Sequence, residues 1–179
     1  MMKRVLIAAF GNLLWGDDGF GVRVLQKLAA APLPEGVYLL EAGISGISVL
    51  QELLSGYDAL ILLDAMDKGL PPGTVQVLAL EVPQVNLNPN ERLDMHLADP
   101  QRVVAAAKAL GVLPPQVFLV GCQIKRCEWG QEVSPKVAAA IEVAAQKVHH
   151  LLLQLLRPAA PKGGDDDATD PPMGRFCGR

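Results

Sequence analysis

Near the start of the chain, Gly11-Asn12-Leu13-Leu14-Trp15-Gly16-Asp17-Asp18-Gly19-Phe20-Gly21 sets two adjacent carboxylates among four glycines. It is not a dinucleotide-binding loop, because no glycine follows two places after Gly11, and not a P-loop, because it lacks Gly-Lys-Ser/Thr. Two carboxylates at a helix start repel phosphate and attract a cation, while the helix dipole stabilises the carboxylates themselves. A lone aspartate at such a place is ordinarily an N-cap. One cap is enough, so Asp17 is read as the cap and Asp18 as a candidate functional acid. Asp64 follows the apolar run Ala59 to Leu63, and His96 stands in a polar loop beside Asp94. Two carboxylates and an imidazole from three segments make an oxygen-plus-nitrogen donor set suited to a first-row divalent metal. Asp67 is a reserve acid. His149 and His150 fall on the polar side of the last helix and take no role, and Cys122 and Cys127, without a second pair, make no zinc site.

Those three segments come together only if the chain builds a parallel sheet whose carboxyl ends share one edge. The run Lys3 to Ala9 is nearly continuous apolar and β-branched, the pattern of a strand covered on both faces. Phe20, Val24 and Leu28 then share a helical arc that Pro32 and Pro34 stop. Val37 to Leu40, Ala59 to Leu63, Thr74 to Leu80 and Val117 to Gly121 read as further strands, and Ile47 to Leu54 as a short helix closed by Gly56. Asp99-Pro100 and Ser134-Pro135 each pair a capping residue with a proline at the first helical position, opening helices to about Leu110 and along a face running from Val137 to Leu155. Strands alternating with helices specify an α/β fold: a three-layer α/β/α sandwich around a mainly parallel twisted sheet of about five strands.

The chain has 179 residues, half of them hydrophobic, enough for one core. The single α/β domain is expected over residues 1–156 and a disordered C-terminal tail over 157–179, where prolines, glycines and Asp165-Asp166-Asp167 leave little to bury. A net charge of −3 argues against a nucleic-acid partner. The longest charge-free stretch, Ala109 to Ile124, is broken by Pro114, Pro115 and two glycines, so no membrane insertion is expected. Three cysteines, an odd number, suit a reducing cytoplasm, and no structural disulfide is expected.

The motif Gly11-Asn12-x-Leu14-x-x-Asp17-Asp18-Gly19-x-Gly21, followed by Glu41-Ala42-Gly43-Ile44-Ser45-Gly46, Asp64-Ala65 and Pro72-Gly73-Thr74, resembles the NiFe-hydrogenase maturation endopeptidases over roughly Val5 to Leu156. The resemblance implies an endopeptidase that removes the C-terminal peptide of a hydrogenase large-subunit precursor once nickel is inserted. Carried over by position, the metal-contacting acids fall on Asp18 and Asp64 and the histidine on His96, the catalytic residues expected here. Gly43, Ser45 and Gly46 fall in the substrate-contacting loop, written Asp-Gly-Gly-Thr-x-Gly in the family. Around the histidine Ser-x-His-Gln is replaced by Asp94-Met95-His96-Leu97, and Ile124 stands where a proline is usual. The resemblance further implies nickel carried by the precursor; two carboxylates and one histidine from separate segments should bind a divalent ion only weakly, so no tightly bound resident metal is expected, and a monomer or weak dimer is expected. Two other readings use the same residues. In one, Cys122 is a nucleophile with His96 as base and Asp64 as orienter. In the other, the acids and His96 form a nickel-dependent checkpoint that binds the large subunit without cutting it.

Overall fold

The computed structural model describes residues 2–81 and 100–157. Three of the expectations above, His96 in its loop, Asp99 as a capping residue and the tail from residue 158 onward, lie outside them. Five strands, β1 (Val5–Phe10), β2 (Val37–Gly43), β3 (Ala59–Met66), β4 (Val75–Ala79) and β5 (Gln116–Gln123), form one sheet in the order β2-β1-β3-β5-β4. Helices α1 (Phe20–Ala29), α2 (Ile47–Leu53), α3 (Pro100–Ala109) and α4 (Pro135–Leu155) cover it.

All six residues of β1 are fully buried, and the period of two sorts them onto two faces. Val5, Ile7 and Ala9, with Ala59, Ile61 and Leu63 of β3, meet the apolar stripes of α1 and α4. Leu6, Ala8 and Phe10, with Leu60 and Leu62, meet Val49 and Leu53 of α2 and Val103, Val104 and Ala107 of α3. The helices thus make the two outer layers of the expected sandwich. Each large side chain withdrawn from water here contributes about 1.5–3 kcal/mol, and cutting one such as Ile61 to alanine costs about 2–5 kcal/mol.

The connections set the functional edge. From β1 the chain crosses by α1 to β2 on one side, then by α2 back past β1 to β3 on the other. The crossover direction therefore reverses between β1 and β3, and open α/β sheets bind ligands beyond the carboxyl ends of their strands at such a reversal. β5 is parallel to β3, whereas β4 runs antiparallel to β5 and closes that side. Strand β5 runs past its expected end through Cys122 to Gln123, and two others run further still: β2 continues through Glu41 and Ala42 to Gly43, and β3 through Asp64 and Ala65 to Met66. In both, pairing with the neighbouring strand carries the polar residues along.

At the opposite edge, Arg4 fastens the strand starts. Its N–H donates to Asp58 Oδ2 at 2.7 Å and its guanidinium to the Ser55 carbonyl at 2.6 Å, lying over the rings of Tyr38 and Tyr57. Lys3 Nζ donates to the Leu155 carbonyl at 2.8 Å, tying the end of α4 to the entry of β1.

Candidate active site

The loop from β1 into α1 is shaped by glycine. Gly11 has φ +114°, and a Cβ there would overlap the Asp18 carbonyl oxygen. This close approach lets Asp18 Oδ2 accept the Asn12 N–H at 2.7 Å, while Asn12 Oδ1 accepts the Leu14 N–H at 2.9 Å. A 3-10 turn, Gly16–Gly19, carries both aspartates and packs against β3. At the first turn of α1, a Cβ on Gly21 would stand 2.5 Å from the Phe10 carbonyl oxygen and collide with that of Leu63. Only glycine allows α1 to start this close to the ends of β1 and β3.

Neither aspartate caps α1: Gly19 is its N-cap residue, with no side-chain cap hydrogen bond. The expected cap, Asp17, does something else. It is fully buried, and its Oδ2 accepts the N–H groups of Lys125 (2.8 Å) and Arg126 (3.1 Å) and the Ser134 hydroxyl (2.9 Å), while Oδ1 accepts the Ser134 N–H at 2.6 Å. Burial works against its charge, but the donors from Ser134, Lys125 and Arg126 outweigh that and hold the carboxyl below its ordinary pKa. Ser134 has the extended backbone of an N-cap, φ −61° and ψ 149°, yet its hydroxyl goes to Asp17 rather than into the first turn of α4. Asp17 thereby pins the whole segment between β5 and α4 beneath the site. The Asp17 N–H also donates to the Arg126 carbonyl at 3.3 Å.

Asp64 lies inside β3, paired with Gly121 of β5 and one residue beyond the last pair of β3 with β1, Ala9 with Leu63. It is half-buried, and its Oδ1 accepts the N–H of Ala65 at 2.9 Å. Asp18 is also half-buried, so both acids stand at the carboxyl edge flanking the β1–β3 reversal. Asp67 is exposed and is engaged by Gln123, whose Nε2 donates to its Oδ1 at 2.9 Å. Sequence reasoning missed Gln123. Nearly buried, it accepts the Lys68 and Leu70 N–H groups on Oε1 and so shapes the turn after β3.

Asp18 lines an open depression of about 330 Å³ together with Asn12, Trp15, Ile44 and Cys127. A neighbouring one of about 340 Å³ shares Asn12 and Ile44 and reaches Gly11, Glu41 and Gly43. Gly43, with φ +58°, accepts the Gly11 N–H at 3.0 Å, which fixes this corner of the groove. Ser45 is half-buried in the turn after β2, and Gly46 starts α2. The Cys122 thiol is fully buried and pushed up to about 11 by that burial, the state of an inert packing residue rather than a nucleophile. Among the described residues no three histidine, cysteine, aspartate or glutamate side chains are grouped to hold a metal ion.

A doubly wound sheet with two carboxylates beside its crossover reversal defines a ligand-binding α/β protein of the open-sheet class. The family model described as hydrogenase maturation protease (HycI) matches residues 22–151. The hydrogenase expression/formation protein HupD of Rhodobacter capsulatus is 32% identical over 176 residues, 97% of this chain and 83% of that protein. HoxM of Azotobacter vinelandii, described in the same words, is 34% identical over 178 residues, 96% and 84% of the two chains. Among solved structures, the hydrogenase maturating endopeptidase HybD from E. coli superposes with a TM-score of 0.71 at 30% identity, covering 85% of this chain and 93% of that one. The chain belongs to the hydrogenase maturation protease family, and it is an endopeptidase of hydrogenase maturation.

Proposed function

We propose that this endopeptidase removes the C-terminal peptide of a NiFe-hydrogenase large-subunit precursor after nickel insertion, and that it works in the cytoplasm as a monomer or weak dimer. The observation that carries the reading is the placement of Asp18 and Asp64 on either side of the β1–β3 reversal, with Asp18 lining an open depression there. Nickel belongs to the substrate. Held by thiolates of the precursor, it meets Asp18, Asp64 and His96, ligands too few and too weakly preorganised to keep a divalent ion of their own. Asp18 already spends one oxygen on the Asn12 N–H, which fixes its orientation and leaves the other for the metal. Two roles of the ion suit this arrangement: it polarises the scissile carbonyl, or it acidifies the attacking water. Gly43, Ser45 and Gly46 line the path of the substrate chain.

The test is mass measurement of nickel-loaded and nickel-free precursor incubated with the purified protein, alongside elemental analysis of the protein alone. Loss of a C-terminal fragment from the loaded precursor only, with no stoichiometric metal in the purified protein, is the expected result. A tightly held zinc with nickel-free precursor cut at full rate would make this a resident-metal peptidase. An unchanged mass despite stoichiometric binding would make it a checkpoint.

A further inference from the structure

The chain contains two tryptophans, and both stand at the edge that carries Asp18. Trp15 is 42% exposed and Trp129 64%, with their rings edge to face at 5.9 Å between centroids. Leu14 and Ile44, 55% and 65% exposed, flank them. Solvent-facing indoles packed edge to face, with aliphatic neighbours, are an unusual concentration of apolar surface outside a core. Their backbone is fixed rather than loose: the Gly130 N–H donates to the Leu14 carbonyl at 2.9 Å, and the Asp17 carboxylate holds Lys125, Arg126 and Ser134 on either side of Trp129. In the segment between β5 and α4, Lys125 and Arg126 balance Glu128 and Glu132.

Trp15 and Ile44 line the same depression as Asp18. A polypeptide whose bond reaches Asp18 must therefore run against them. We propose that Trp15 and Trp129, with Leu14 and Ile44, form the apolar wall that grips apolar side chains of the precursor next to the bond to be cut, a specificity determinant for the reaction. This rests on the reading of Asp18 as part of the cutting site. Rigid aromatic anchors lose little freedom when a partner lands on them, which is why such residues dominate interface energetics.

Trp129 is exposed enough for replacement to leave the fold intact, as circular dichroism would verify. With nickel-loaded large-subunit precursor of the same organism as substrate, Trp129→Ala is expected to raise KM about tenfold or more with kcat within about twofold, the mark of binding shared by ground and transition states. Trp129→Phe should recover most of that loss. Enzyme labelled with 5-fluorotryptophan gives two fluorine resonances, both of which should shift when unlabelled precursor is added. An unchanged KM in Trp129→Ala, or resonances unmoved at saturating precursor, overturns the wall. If the wild-type protein cuts nothing, the proposed function fails, whereas the fluorine shifts still report separately whether the precursor lands on the wall.

Discussion

Replacing Asp17 by asparagine tests the way the site is held together. The carboxylate takes three donors on Oδ2 and one on Oδ1, all from the segment between β5 and α4. An asparagine keeps one carbonyl oxygen. In its best orientation it still accepts from Lys125, Arg126 and the Ser134 hydroxyl, but each bond falls from charge-assisted to neutral strength, and the amide nitrogen faces the Ser134 N–H donor to donor. An orphaned buried donor costs about 1–3 kcal/mol, and the weakened bonds add about 1 kcal/mol or more, so the loss is on the order of 3 kcal/mol. For a domain of about 150 residues that is roughly 6–12 °C in Tm, read by thermal circular dichroism. The pH dependence carries a sign. Because the folded pKa is depressed below 3.8, the carboxylate's contribution is complete above that value and is lost as pH falls through the lower folded pKa. The wild-type advantage should therefore shrink in acid. A Tm within about 1 °C of wild type at pH 7, or a gap that widens as pH drops below about 3.8, would refute the reasoning.

Asp18→Asn and Asp64→Asn should each abolish or severely slow processing, followed by gel shift of the precursor, while changing stability by only about 1 kcal/mol. Both sites are half-exposed, and an amide oxygen can still accept the Asn12 or Ala65 N–H; wild-type cleavage by either variant would remove that acid from the site. Gly21→Ala pushes a methyl into the Phe10 and Leu63 carbonyls, so chemical denaturation should show a loss of about 1–3 kcal/mol and cleavage should fall with it. Native alkylation followed by peptide mass mapping should modify the exposed Cys127 and spare the buried Cys122, and Cys122→Ala should still cut; loss of cleavage there would revive the thiol mechanism.

The layers were readable because unbroken apolar runs such as Val5 to Ala9 and Ala59 to Leu63 can only be interior strands. The far ends of β2 and β3 were not, since Glu41 and Asp64 interrupt the apolar pattern while backbone pairing continues beneath them. The antiparallel direction of β4 has no local signature either, because alternation is the same whichever way a strand runs. The two adjacent aspartates show the limit most clearly. Local rules offer a cap for either, but what separates them is a partner 117 residues away, Ser134, that claims Asp17 and leaves Asp18 at the surface. Gln123 escaped notice for the same reason: its partners, Lys68 and Leu70, come from another strand end.

The contact of Lys3 with the Leu155 carbonyl bears on how the molecule can be rebuilt. It places the entry of β1 and the exit of α4 side by side at the edge where Arg4 gathers the strand starts, one strand length, about 20 Å, from the groove. A fused reporter or surface linker attached near Lys3 or Leu155 would project away from the edge that carries Asp18. The same nearness suits circular permutation: a short flexible bridge could join the two ends, and new termini opened in the exposed turn at Lys68 and Gly69 would leave every strand whole.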